Sequence, residues 1–137
     1  MTPIRRLDGI TYWVIEDSPE IGDFVNTVLR REWEGDLRSE GKDPGSDEWL
    51  ASMLNRRWAL RILDTLAVKP DSEYVNSERL RQRRAELRRS IEEYGSVIWP
   101  IVVRAEGYLL ADGYCRYTTL KDMGVRRLYA YVGSHRP

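Results

Sequence analysis

The residues of this chain best suited to chemistry are Asp112, Gly113, Tyr114, Cys115 and Arg116. Apolar Leu110 and Ala111 precede them and a helical pattern follows, so the segment reads as a strand that passes through Asp-Gly directly into a helix. Such a turn leaves backbone N–H groups unpaired at the helix start, where the macrodipole places roughly half a positive elementary charge. Phosphate oxygens fit that end, and Gly113 lets them come close to the main chain. Arg116 points the same way, because a cation in the first helical turn opposes the macrodipole at a cost of about 0.3–1 kcal/mol unless an anion lies between them. Asp112 would then cap the helix or bind a metal or a hydroxyl. The spacing alone equally allows a plain capping Asp112, a turning Gly113 and an Arg116 paired with a surface carboxylate.

Two neighbouring features carry less chemistry. The Cys115 thiolate would be favoured by the helix N-terminus and by Arg116. It has no resolving cysteine, however, and His135 is the single histidine, so Cys115 reads as a small space-filling side chain. The second feature is a run with Arg79, Arg81, Arg83, Arg84, Arg88 and Arg89. Arg84 falls only about 40° from the line through Leu80, Leu87 and Ile91, near a buried stripe where arginine is rare unless paired. It would reach a phosphate, reach an acid of the N-terminal half, or snorkel outward along the apolar edge. Trp13, Trp33, Trp49, Trp58 and Trp99 read as core and packing residues.

The elements that must position these residues follow from periodicity. Ile21, Phe24, Val25, Val28, Leu29 and Trp33 recur at helical spacing after Asp17-Ser18-Pro19-Glu20, a strong start signal. Residues 37–46 are polar, contain Gly41, Pro44 and Gly45, and read as a joint. Ser46 or Asp47 can cap a second helix with Trp49, Leu50, Met53 and Leu54 on one stripe. Residues 11–15 read as a strand. From residue 58 the order is β, α, β, β, α, β: a strand within 58–68, a helix from Asn76 or Ser77 to about Tyr94, strands at 97–104 and 108–111, a helix at 113–123 and a strand at 128–132. This order predicts an α+β fold with a small mixed sheet, helices packed on a partly exposed face, and residues 1–57 as an acidic, mainly helical N-terminal extension to a domain at 58–137.

Composition excludes several classes. The 137 residues hold 22 basic and 22 acidic side chains, but residues 1–55 carry 6 basic against 12 acidic and residues 56–137 carry 16 against 10. The halves should attract each other, and the neutral total disfavours coating of DNA, which needs an uncompensated basic excess. One cysteine excludes an internal disulfide framework and, with one histidine, a structural zinc site, and it fits a reducing, cytoplasmic setting. No run approaches the 18 or so apolar residues of a membrane span, so no membrane partner is expected.

Over residues 58–133 the chain resembles the ParB N-terminal/sulfiredoxin-like superfamily. The resemblance rests on Gly95, Trp99-Pro100-Ile101-Val102-Val103, a Gly hairpin, Asp112-Gly113 with Arg116-Tyr117, Leu120, Gly124 and the closing strand. It implies nucleotide phosphates at the signature turn. Partition proteins have Gly-Glu-Arg-Arg where this chain has Gly113-Tyr114-Cys115-Arg116, and sulfiredoxin has its cysteine one position earlier. The turn is most similar to that of the free-serine-kinase branch, Asp-Gly-His-His-Arg-Tyr, with both histidines replaced. The resemblance therefore implies a nucleotide-dependent small-molecule phosphotransferase or a nucleotide hydrolase. ATP, ADP or CTP would bind with Mg²⁺ through Asp112, Gly113, Tyr114, Cys115, Arg116 and Arg84, and Glu73, in Pro70-Asp71-Ser72-Glu73, would be the base for an unidentified acceptor. The alternative is a DNA-binding or partner-binding module of the same fold without catalysis.

Overall fold

The computed structural model describes residues 3–71 and 78–136. Among the described residues the strands and α-helices run in the order β1 (Ile4–Leu7), β2 (Ile10–Trp13), α1 (Ser18–Ser39), α2 (Glu48–Leu54), β3 (Arg57–Asp64), α3 (Glu78–Tyr94), β4 (Ile101–Arg104), β5 (Leu110–Asp112), α4 (Tyr114–Asp122) and β6 (Arg127–Ser134). β1 and β2 form a hairpin, and the other four strands form a mixed sheet in the order β3-β6-β4-β5. β6 runs antiparallel to β3 and parallel to β4, while β4 and β5 are antiparallel. The fold is α+β, as the alternation from residue 58 predicts.

Both faces of this sheet are covered. Ile101, Val103, Leu110, Leu128, Ala130 and Val132 join Ile91 of α3, Tyr117 and Leu120 of α4, and Leu7, Ile10 and Tyr12 of the hairpin in one core. Val102, Ala111, Tyr131 and Trp58 join Ile21, Val25 and Leu29 of α1 and Leu50 and Met53 of α2 in the other. Alternate residues of each strand point to opposite faces, so near-continuous apolar runs such as Ile101-Val102-Val103 need two covers. The partly exposed face expected from sequence is thus absent from the middle of the central strands, and exposure falls on edge positions such as Arg61 and Ile62 of β3 and on the ends of β6, at Arg127 and Ser134. Among the described residues no helix is long and apolar enough to cross a membrane.

Local chemistry sets the element ends. The Asp17 carboxylate accepts from the Glu20 N–H at 3.1 Å and starts α1, and that of Asp47, rather than the Ser46 hydroxyl, accepts from the Leu50 N–H at 2.7 Å and starts α2. α1 runs into the expected joint, because Leu37 is buried in the second core and holds the last turns down. In β6, Gly133 lies opposite Trp58, and a Cβ there would come 2.7 Å from the indole ring. Only glycine leaves room for that buried tryptophan.

Candidate functional site

The turn at the end of β5 is built as its sequence suggests and closed in a way the sequence does not show. Gly113 occupies the position before α4 with φ 96° and ψ 33°, a left-handed conformation that favours glycine, and no side chain caps the helix. Asp112 is therefore not a cap. Its carboxylate accepts from Arg116 Nη2 at 2.9 Å, one helical turn on, and Arg116 Nη1 reaches the Trp99 carbonyl at 3.3 Å. The guanidinium folds back over Gly113, where a Cβ would come 2.7 Å from Nη2 and 3.0 Å from Ile101. Asp112 is the anion that offsets Arg116 at the unfavourable end of the macrodipole.

A third charged group, Glu32 of α1, lies beside this pair. The residue is exposed, and among its neighbours Asp112 acts most strongly on its carboxyl. Partial desolvation, the hydrogen bond to Asp112 and the charge of Asp112 push the Glu32 carboxyl up to about 7, against the opposing pull of Arg116 and Arg83. Asp112 and Arg116 thus form one ion pair at the turn, with Glu32 of α1 under the electrostatic influence of both. Sequence reasoning missed Glu32. The available signal was the spacing Phe24, Val28, Glu32, in which a carboxylate continues a half-buried stripe flanking the fully buried Ile21, Val25 and Leu29. Phe24 of that stripe packs on Trp99 with ring centroids 4.4 Å apart.

The other expected site residues are distributed unevenly. The Tyr114 hydroxyl accepts from the Asp71 N–H at 2.9 Å, tying the first turn of α4 to the chain just before residue 72. Glu73 itself lies outside the described residues. Cys115 is a half-buried free thiol whose carbonyl accepts from the Thr118 and Thr119 hydroxyls. Arg84 is not brought to the turn. Its Nε lies 3.1 Å from Asp122 at the far end of α4, so the acid that satisfies it belongs to the neighbouring helix and not to the N-terminal half. Among the described residues no three His, Cys, Asp or Glu side chains come together as a metal cage.

Comparison with known proteins adds a likeness of fold. No family model and no curated protein matches the chain. Two solved structures are similar to it: the C2221 form of a Pnob8-like ParB-N domain, at 22% identity and TM-score 0.46 over 60% of this chain, and a pNOB8-like ParB N-domain, at 22% identity and TM-score 0.44 over 58%. The match spans 31% and 28% of those chains.

Proposed function

We propose that the chain binds a nucleotide by its phosphates at the turn from Asp112 to Arg116 and transfers or hydrolyses a phosphoryl group there. The observation that supports this reading is the arrangement of Arg116, a partly exposed guanidinium held over Gly113 at an uncapped helix start by the Asp112 carboxylate and the Trp99 carbonyl. Phosphate oxygens would take the N–H groups at the start of α4, and Arg116 would turn its unused donors to them, since a guanidinium offers five. Mg²⁺ suits the donor set, because it binds through one or two carboxylates together with phosphate oxygens, and Asp112 keeps acceptor capacity beyond its bond to Arg116. When bound, the ion would neutralise charge on the transferring phosphoryl group.

The remaining roles belong to the residues on either side. Tyr114 holds Asp71 against the turn, and Glu73 follows two residues later in the chain. Glu73 acts as the base that takes the proton of an acceptor hydroxyl, or of water, as that oxygen attacks the phosphorus and the bond to the nucleotide oxygen breaks. Calorimetric titration with ATP, ADP and CTP, each with and without Mg²⁺, tests the binding. Saturable binding of at least one nucleotide followed by loss of its terminal phosphate is expected. No heat with any of the three overturns the proposal.

A further inference from the structure

We infer that a second ligand site lies at the far end of α4 from Gly113, and that it takes a small carboxylate with an apolar body. Two adjoining clefts of about 500 and 390 Å³ open there and share Asp64, Gly124, Val125 and Arg126. Their volumes suit a small molecule. One wall is the end of β3 with the short turn after it, Asp64-Thr65-Leu66, and the other is the loop from α4 to β6. The Thr65 N–H donates to the Arg126 carbonyl at 2.9 Å and ties the two walls together. The N–H groups of Met123, Gly124 and Val125 take the Thr119, Lys121 and Leu120 carbonyls, so the negative end of α4 is closed off from an arriving anion. Gly124 has φ 75°, and a Cβ there would meet nothing within 4 Å, which leaves the cleft open over its backbone.

The polar groups of the clefts are uncommitted and carry a small positive excess. Lys121 and Arg126 make no side-chain hydrogen bond or ion pair among the described residues. Thr65 is 2% exposed and its hydroxyl has no hydrogen-bond partner, although a buried hydroxyl is normally paired. A ligand oxyanion between Lys121 and Arg126 would supply the missing acceptor. Arg127 is taken by Asp8 at 3.2 Å, so the two free cations stand against Asp64 alone, whose side chain does not cap the turn that follows it. A singly charged carboxylate matches that excess, whereas the dianion of a phosphate monoester exceeds it and is repelled by Asp64. Leu66, 76% exposed, and Val125 give the apolar part of the ligand a surface to cover.

The test titrates the full chain at neutral pH with isocaproate, its uncharged amide and isopentyl phosphate, and follows the backbone amides by NMR. Isocaproate is expected to shift the Gly124, Val125 and Arg126 signals saturably with a Kd of about 1 mM, and the amide to bind about tenfold more weakly. Lys121→Gln, Arg126→Gln and Thr65→Val are each expected to weaken isocaproate binding about tenfold. Thr65→Val should do so without lowering the urea midpoint, since its hydroxyl has no partner in the free chain; a residue of purely structural role would show the reverse. Asp64→Asn should improve binding of isopentyl phosphate more than that of isocaproate. The inference is overturned by no saturable shift with isocaproate, shifts confined to the Gly113 turn, equal binding of acid and amide, tighter binding of isopentyl phosphate than of isocaproate by the wild-type chain, or unchanged affinity in all three weakening variants. None of these results bears on nucleotide binding at Arg116.

Discussion

Arg56 and Arg116 each end on a carboxylate, and the two pairs are built in opposite ways. Arg56 is buried, with 1% of its side chain exposed. Its Nη1 donates to both oxygens of Glu106 at 2.9 and 2.8 Å and to the Gly133 carbonyl at 3.0 Å, and its Nε donates to the Ser52 carbonyl at 3.1 Å. It joins the end of α2, the loop between β4 and β5, and the end of β6. Arg116 keeps 22% of its side chain exposed and makes one firm bond, to Asp112, and one long one, to Trp99. Both retain donor capacity, but that of Arg56, at Nη2, is sealed from solvent. A guanidinium committed on several sides is a staple. One that lies at the surface over a glycine is available to a ligand.

The largest test of this contrast is stability. Arg56→Ala is expected to lower the unfolding free energy by about 3 kcal/mol, since it strips a buried cation from its partners, whereas Arg116→Ala should cost at most about 1 kcal/mol. Urea denaturation of both variants checks this, and equal losses would break the distinction. Next in size, Gly113→Ala is expected to cost about 1–2 kcal/mol in the same measurement through its left-handed backbone, and to displace the Arg116 guanidinium.

The smallest effect is in pH dependence, where Glu32 beside Asp112 and Glu106 beside Arg56 should run in opposite directions. Glu32 is raised from 4.5 to about 7, so the folded chain holds that proton more tightly than the unfolded chain. Its contribution to stability is complete below pH 4.5 and is lost as pH rises to about 7. For Glu106, burial pushes the carboxyl up but its bonds to Arg56 and Arg104 prevail and hold it below the usual range. That contribution is present at neutral pH and lost as pH falls through the lowered value. Denaturation of Glu32→Gln and Glu106→Gln from about pH 2 to 8 should therefore show the first variant gaining on wild type as pH rises towards 7 and the second gaining as pH falls below 4.5.

Much of this was legible in the sequence, for local reasons. The helices α1, α3 and α4, the strands β4, β5 and β6, and the Asp-Gly turn all announce themselves by periodicity, caps and glycines. β1 was missed because Arg5-Arg6 breaks the alternation and Ile4 is 54% exposed. Glu32 and Arg56 were missed for a different reason. Each is related to its carboxylate across at least 50 residues of sequence, a separation that local spacing does not report even where, as for Glu32, the residue continues a half-buried stripe. Arg84 stands out in the sequence for its place near the apolar stripe, with a phosphate, an acid of the N-terminal half or solvent as its expected surroundings. Its partner, Asp122, depends on how α3 packs against α4, which periodicity does not specify.

The central claim is that Arg116 and the turn beneath it receive phosphate. Its most direct test is calorimetric titration of wild type and Arg116→Ala with ATP, ADP and CTP in Mg²⁺, under conditions where both are folded. The account predicts a loss of about tenfold or more in affinity when a charged hydrogen bond of this kind is removed. Unchanged affinity in Arg116→Ala would contradict it.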